Sequence, residues 1–190
     1  MTPRVVGLGH VGIYVRDLAK MTEFYRDFLG FTVTKVNPAM VFFSTDPMRA
    51  DHEIVIMKGR PSPEDPHLIN QISLRVPTLG DLREFKRRII ARGYKIVSMV
   101  THVSAIGCYF SDPEGNTTEL FWLTGLPSWV AIGVQIDIDR TDAEVMADVQ
   151  RLWDKVKHVQ VGETADAETD KVIQALSSQG LAEITGGAIA

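Results

Sequence analysis

One structural pattern occurs twice in the chain, and this repeat limits the possible folds more than any other feature. The segment HVGIYVRDLAKMTEFYRDFLGF begins at His10, and it aligns with QISLRVPTLGDLREFKRRIIARGY, which begins at Gln71. In each copy a short apolar strand leads into a helix whose apolar residues recur at helical spacing, and a glycine ends that helix. Three strand-like stretches follow each helix: 31–36, 40–45 and 53–57 in the first copy, and 94–100, 105–110 and 117–122 in the second.

The repeat predicts an α+β fold made of two βαβββ modules, residues 5–58 and 66–123. Duplication of one half-barrel sheet followed by pairing of the two copies accounts for such a pattern. We therefore expect residues 5–123 to form one domain with a single cupped, barrel-like mixed sheet. The helices near 17–29 and 79–92 are expected on the outside of that sheet.

The repeat stops after Trp122, and residues 124–190 are predicted to form a helical extension. Its apolar residues Val145, Val149 and Leu152 make a stripe at helical spacing. We expect the extension to pack against the barrel or against a second subunit. It contains a connector at 124–133, helices at 141–157 and 164–179 that Thr141 and Thr164 can cap, and a frayed end.

Charge and cysteine content exclude several classes of protein. The net charge of −4 disfavours a nucleic-acid-binding surface. Cys108 is the only cysteine, so no internal disulfide and no thiolate zinc cluster can form. No run is apolar enough to span a membrane, and the N-terminus lacks a signal pattern. We expect a soluble cytoplasmic protein that forms a homo-oligomer.

Four polar residues stand at corresponding ends of the two copies. His10 and Gln71 begin the first strands, and Glu53 and Glu119 lie in the last strands. Imidazole, amide and carboxylate groups are ligands for divalent first-row metals, and a buried carboxylate is costly unless it is paired or bound. We predict that these four side chains face one cavity in which a metal ion can bind. The alternative, if each residue is considered alone, is that Glu119 is a strand glutamate on a solvated face and His10 a hydrogen-bonded structural histidine.

The end of the second copy resembles the signature of the extradiol ring-cleavage dioxygenases. That signature has a histidine, a spacer, an aliphatic residue and a tyrosine, then an Asp-Pro-x-Gly turn and a glutamate; Cys108 stands where an aliphatic residue is usual. With the duplication, the resemblance extends to the vicinal oxygen chelate superfamily and covers residues 5–123. The matching residues are His102, Tyr109, Asp112, Pro113, Gly115 and Glu119.

The resemblance implies Fe(II) as the metal and a small aromatic diol with dioxygen as the substrates. By size the chain is similar to the small, single-domain enzymes that act on 2,3-dihydroxybiphenyl or catechol. Dioxygenases of this kind hold iron with two histidines and a glutamate, which places His10 and Glu119 on the metal. The position of the second histidine is occupied here by Gln71. His67 could take its place only if the strand register shifted.

The resemblance also implies three residues that handle protons. His52 falls where the family keeps a proton-transferring histidine, and His102 and Tyr109 fall where it hydrogen-bonds the catecholate and the cleavage intermediate. Histidine suits such a role because it titrates near neutral pH. The alternative is that His102 is an ordinary loop histidine and Tyr109 a core aromatic.

Two other functions stay open at this point. A glyoxalase I-like lyase would add Glu53 to the ligands and bind Zn(II), Ni(II) or Mn(II). His52 and Glu53 are neighbours in a strand, so only one of them can face the cavity. The third alternative is a non-catalytic binding protein of the bleomycin-resistance kind, which the loss of the second histidine would favour. We favour the dioxygenase, because His102 and Tyr109 have no role in a glyoxalase site.

Overall fold

The computed structural model describes residues 9–50, 52–60, 62, 69–161 and 165–179. The chain divides into two compact units, one of residues 1–68 with the turn 112–116 and the other of residues 69–111 with 117–190. Several sequence predictions lie outside the described residues. They are the starts of both modules, His67, the Thr164 cap and the frayed C-terminus.

The first unit contains a four-stranded sheet and one helix. The sheet has the order β1-β4-β3-β2; β1 runs parallel to β4, and the other neighbours are antiparallel. The helix α1 widens into a π-helical segment before it ends. The elements are β1 (Val11–Val15), α1 (Leu18–Glu23) with its π-helical continuation (Phe24–Phe28), β2 (Thr32–Asn37), β3 (Met40–Ser44) and β4 (Ile54–Lys58).

The second unit repeats this arrangement and adds a strand and two helices. Its sheet has the order β5-β8-β7-β6-β9, with β5 parallel to β8 and the other neighbours antiparallel. Its elements are β5 (Ile72–Arg75), α2 (Leu79–Ala91), β6 (Ile96–Thr101), β7 (Ala105–Ser111), β8 (Thr117–Leu123), β9 (Val134–Gln135), α3 (Asp142–Val156) and α4 (Ala167–Gln179).

Local sequence explains where the repeated helices begin and end. The side chains of Asp17 and Thr78 accept hydrogen bonds from backbone N–H groups in the first turns of α1 and α2. Gly30 and Gly93 follow the helices with φ of 83° and 71°, a conformation in which glycine has no steric penalty. The apolar faces are buried: Met21, Phe24, Tyr25 and Phe28 in the first copy, and Leu79, Leu82 and Ile89 in the second.

The α+β class and the βαβββ duplication are therefore confirmed. Within the described residues the strands form two hydrogen-bonded sheets, one in each unit, whereas the sequence predicted a single sheet. The predicted helix at 141–157 is observed as α3, with a capping box between Thr141 and Glu144. None of the described helices has the length and apolarity that crossing a bilayer requires.

The connector after the repeat holds a strand that the sequence did not predict. Val134 and Gln135 form β9, which pairs with the outer edge of β6. Arg83 of α2 reinforces this attachment, because its guanidinium donates to the carbonyls of Ile138 and Arg140. The segment that follows the repeat is thus fixed to the second unit by both strand pairing and side-chain hydrogen bonds.

The two sheets share an irregularity that defines which positions are equivalent. A bulge lies between Val33 and Lys35 in β2, and another lies between Ile96 and Ser98 in β6. When the strand partners are followed from these bulges, His10 and Gln71 occupy equivalent positions in the two sheets, as the sequence predicted. It also gives two matching rows of neighbours across the sheets: Lys35, Phe42, Val55 and Gly12 in the first unit, and Ser98, Tyr109, Glu119 and Ser73 in the second.

The expected equivalence of Glu53 and Glu119 is corrected by this register. Val55 takes the place of Glu119 in the first sheet, and Glu53 precedes it by two residues. The reason is the connection before each last strand, which spans 45–53 in the first copy and 112–116 in the second. The sequence comparison matched the two glutamates directly and did not allow for this difference in the length of the connections.

A buried carboxylate holds the turn 112–116 within the first unit. Glu114 Oε1 accepts the backbone N–H groups of Arg16 and Asp17, each at 2.7 Å. The guanidinium groups of Arg16 and Arg60 lie 3.7 Å from Oε2. The two backbone N–H groups directly precede α1, so Glu114 provides them with an acceptor that the start of the helix would otherwise lack.

Replacing Glu114 with alanine should lower the free energy of unfolding by about 3 kcal/mol, because it removes a buried carboxylate that accepts two part-buried backbone N–H groups and balances the charge of the largely buried Arg60 guanidinium. Urea unfolding checks this value. Glu84→Ala is the matched control, since the exposed carboxylate of Glu84 pairs with exposed Arg87 and its loss should cost less than about 1 kcal/mol. Equal losses in the two variants would contradict the prediction.

Candidate active site

Glu119 is a carboxylate in the middle of a buried strand, and its hydrogen bonds explain why it is tolerated there. Its side chain is almost fully buried. Ser73, its partner across the ladder, donates to Oε2 at 2.5 Å, and the amide nitrogen of Gln71 donates to the same oxygen at 3.2 Å. Gln71 also donates to Ser73 Oγ at 2.9 Å. These bonds offset the cost of burying the carboxylate.

Gly107 provides the space for the Glu119 carboxylate. A Cβ atom at this position of β7 would lie 2.2 Å from Glu119 Oε1 and 3.1 Å from Tyr109 Cε2. The first distance is far below van der Waals contact, so no other residue fits without displacement of the carboxylate. Glycine inside a strand commonly marks such a close approach.

His102 and Tyr109 form a hydrogen-bonded pair beside this carboxylate. Tyr109 lies directly opposite Glu119 in the ladder, and its hydroxyl is 2.9 Å from His102 Nε2. His102 Nε2 is 4.0 Å from Glu119 Oε1. On the other side of the imidazole ring, Nδ1 is 2.5 Å from the carbonyl oxygen of Ile132. Five residues of the second unit thus form a continuous polar cluster.

Two side chains of β7 have raised pKa values. Burial, and then the neighbouring negatively charged Glu119 carboxylate, raise the pKa of Tyr109 to about 12. Burial likewise raises the pKa of Cys108 to about 11. Tyr109 is therefore a neutral phenol at physiological pH. Cys108 is a neutral thiol that packs as a small apolar side chain, which explains why it can stand where the signature has an aliphatic residue.

The first unit brings together two of the predicted histidines. The ring centroids of His10 and His52 are 4.4 Å apart, and the ring of His52 also meets Phe42 edge-on at 5.2 Å. His10 directly precedes β1, and His52 lies two residues before β4, its parallel neighbour. The start of these two strands therefore holds both imidazoles at one end of the sheet.

Glu53 is engaged within its own connection. Its carboxylate oxygen Oε2 accepts the backbone N–H and the hydroxyl of Thr45, each at 2.6 Å. The hydrogen bond from the Thr45 hydroxyl is the main cause that lowers the pKa of Glu53. Glu53 thus closes the connection between β3 and β4.

The predicted metal ligands are one histidine, one glutamine and one glutamate. Among the described residues, no three histidine, cysteine, aspartate or glutamate side chains cluster as they would around an ion. A set that includes a glutamine is a separate case. The contact of Gln71 with Glu119 uses its amide nitrogen, whereas a metal would bind its amide oxygen. Carboxylate, amide oxygen and imidazole together suit a divalent first-row ion.

Residues 7–120 match the Glyoxalase/Bleomycin resistance protein/Dioxygenase superfamily. The chain belongs to this superfamily. One relative, biphenyl-2,3-diol 1,2-dioxygenase 3 of Rhodococcus globerulus, is 32% identical over 126 residues. That match spans 63% of this chain and 63% of the relative's length.

Solved structures of other proteins share the fold of this chain. A fosfomycin resistance protein of Listeria monocytogenes, crystallised with Mn(II) and sulfate, is 24% identical with a TM-score of 0.53, covering 64% of this chain and 94% of that one. Lactoylglutathione lyase of Agrobacterium tumefaciens is 17% identical with a TM-score of 0.51, covering 63% and 96% respectively. At these identities the likeness concerns the fold alone.

Sequence reasoning named most of the polar cluster but missed the groups that hold it in place. The second unit brings together Gln71, His102, Tyr109 and Glu119, and the first brings together His10 and His52. Ser73 and Gly107 were missed, although each carries a signal. Ser73 lies two residues after Gln71 and so faces the same side of the strand, and Gly107 interrupts an apolar strand.

Replacing Gly107 with alanine should displace the Glu119 carboxylate and lower the free energy of unfolding by about 1–3 kcal/mol, the usual cost of overpacking. Thermal and urea unfolding measure the loss. Gly12→Ala is the control: it is also a strand glycine, but no atom lies within 4 Å of its Cβ position. Equal effects of the two substitutions would show that the lack of room for a Cβ atom does not explain the glycine at position 107.

Tyr109 should ionise near pH 12, two units above an ordinary tyrosine. Because the pKa is raised in the folded state, this phenol's contribution to stability is present below about pH 10 and is lost as pH rises through about 12. The tyrosinate absorbance of the wild type minus that of Tyr109→Phe isolates this residue. A step in this difference centred near pH 10 instead of near pH 12 would contradict the assignment.

Proposed function

We propose that this protein is an extradiol ring-cleavage dioxygenase that acts on a catechol such as 2,3-dihydroxybiphenyl, with a divalent metal. The observation that carries the proposal is the hydrogen-bonded pair of His102 and Tyr109 beside the buried Glu119 carboxylate. Ring cleavage needs proton transfer next to the metal-bound diol, and this pair supplies a base and a phenol there. The similarity to a biphenyl-2,3-diol dioxygenase supports the same reaction class.

The proposed metal ligands are His10, Gln71 and Glu119, with Fe(II) as the expected ion. The resemblance to the extradiol dioxygenases assigns His10 to the same ion as the other two. When bound at these residues, such a metal would supply Lewis-acid activation for the reaction of the diol with dioxygen. Ser73 would keep one carboxylate oxygen of Glu119 fixed and so orient the other.

The residues of the chain would then manage protons. His102 Nε2, which accepts from Tyr109, can take up a proton that leaves a catechol hydroxyl. The raised pKa of Tyr109 keeps its hydroxyl protonated, so it can donate a hydrogen bond to an oxygen that gains negative charge. In this proposal His52, whose ring packs against that of His10, exchanges a second proton.

The surroundings of Glu53 favour this proposal over a glyoxalase I-like lyase with Zn(II), Ni(II) or Mn(II). That function needs Glu53 as a fourth ligand, but its carboxylate is bonded to Thr45, and Val55 takes the position equivalent to Glu119. A non-catalytic binding protein would have no use for the joined His102 and Tyr109. Both alternatives remain outcomes of the experiment below.

Gln71→His is expected to tighten Fe(II) binding about 10–100-fold and to raise catechol turnover, because imidazole is a stronger donor than a neutral amide. The protein is reconstituted anaerobically with Fe(II), its affinity is measured by titration, and the yellow ring-cleavage product is followed after addition of a catechol and air. Gln150→His, on the exposed face of α3, controls for the added histidine.

The outcomes separate the three functions. Higher affinity together with higher turnover supports a dioxygenase with a weakened metal site. Tighter binding of metal without catechol turnover supports the lyase. If neither the wild type nor the variant binds metal or turns over catechol, the binding-protein alternative replaces the proposal.

A further inference from the structure

The imidazole of His102 is held by a backbone group outside the family's matching region. The superfamily match ends at residue 120, whereas the carbonyl of Ile132 lies 2.5 Å from His102 Nδ1. A carbonyl oxygen can only accept a hydrogen bond, so Nδ1 must carry a proton. In the neutral ring Nε2 is then unprotonated, and the Tyr109 hydroxyl donates to it at 2.9 Å.

The carbonyl is anchored to the strand that carries the histidine. Ile132 is buried, and two residues later β9 pairs with β6, with Val134 opposite Thr101. The N–H of Ile136 extends this pairing by donating to Met99 at 3.1 Å. His102 directly follows β6, so the histidine and its carbonyl partner are attached to the same pair of strands.

The turn that presents His102 is also fixed. Val103 is fully buried and has a φ of 68°, which is strained for a β-branched residue. Its N–H donates to Thr101 Oγ1 at 3.1 Å, and its carbonyl accepts from Thr124 Oγ1 at 2.6 Å. A residue of the connector therefore helps to maintain the strained turn, which orients the imidazole.

We propose that the main-chain carbonyl of Ile132 is a positioning group that selects the Nδ1-protonated form of His102. This inference rests on the proposed function, in which His102 Nε2 takes up the substrate proton. The opposite tautomer would present an N–H to Tyr109, and His102 could no longer act as the base. The segment 124–135 is thus a working part of the site as well as a connection to the helices.

Nitrogen-15 spectra of histidine-labelled, metal-free protein test the proposal directly, with the His102 signals assigned by their loss in His102→Gln. We expect protonated Nδ1 and unprotonated Nε2 for the neutral ring. Tyr109→Phe should leave this tautomer in place, because the carbonyl selects it. A dominant Nε2–H form in the wild type, or a switch to it in Tyr109→Phe, would overturn the proposal.

A backbone change tests the carbonyl itself without altering a side chain. Glycolic acid in place of Gly133 converts the Ile132–Gly133 amide to an ester, whose carbonyl is a weaker acceptor. We expect the ratio of Nδ1–H to Nε2–H to fall about fivefold, the equivalent of one typical hydrogen bond. An ester between Ala131 and Ile132 is the control, since it leaves the Ile132 carbonyl an amide carbonyl and should leave the ratio unchanged.

These measurements do not depend on catalysis. An unchanged ratio in the Gly133 ester overturns the positioning role, even if the wild type cleaves catechols. The expected tautomer and its fivefold change support the positioning role, even if no catechol is turned over and the proposed function fails. In an active enzyme the Gly133 ester should lower kcat and leave KM nearly unchanged.

Discussion

The hydrogen bonds to the buried Glu119 carboxylate are the interaction on which the rest of the candidate site depends. A carboxylate inside a strand needs donors at short range, and the neighbouring strand supplies them through Ser73 and Gln71. It also needs space, which Gly107 provides by lacking a side chain. The same carboxylate then disfavours the phenolate of Tyr109 and keeps that residue a proton donor. Packing, charge and chemistry are therefore coupled at one position.

Much of the fold could be predicted from sequence because its signals are local and occur twice. Helical periodicity, capping residues and closing glycines place the two repeated helices within a few residues of their observed bounds. The equivalence of His10 and Gln71 follows from the aligned strands and helices. The equivalence of Glu53 and Glu119 was wrong because strand register depends on the length of an irregular connection.

What could not be predicted depends on backbone groups and short elements. A two-residue strand such as β9 has no periodicity to detect, and its pairing depends on the exposed edge of β6. The carbonyl of Ile132 has no side-chain signature, because every residue has a carbonyl. The role of Ser73 depends on knowing which residue of β8 lies opposite, which a count of residues does not give.

Comparison of the two sheets indicates how a duplicated fold can acquire a site in one copy. Both sheets have the same bulge, so each row of neighbouring strand positions keeps its register whatever side chains it carries. In the first unit the two central positions of the equivalent row are Phe42 and Val55, which need no buried donor. In the second unit they are Tyr109 and Glu119, which do. Because register is fixed by the bulge and the ladder, polar chemistry can replace an apolar row once a donor such as Ser73 and a space such as that at Gly107 accompany it.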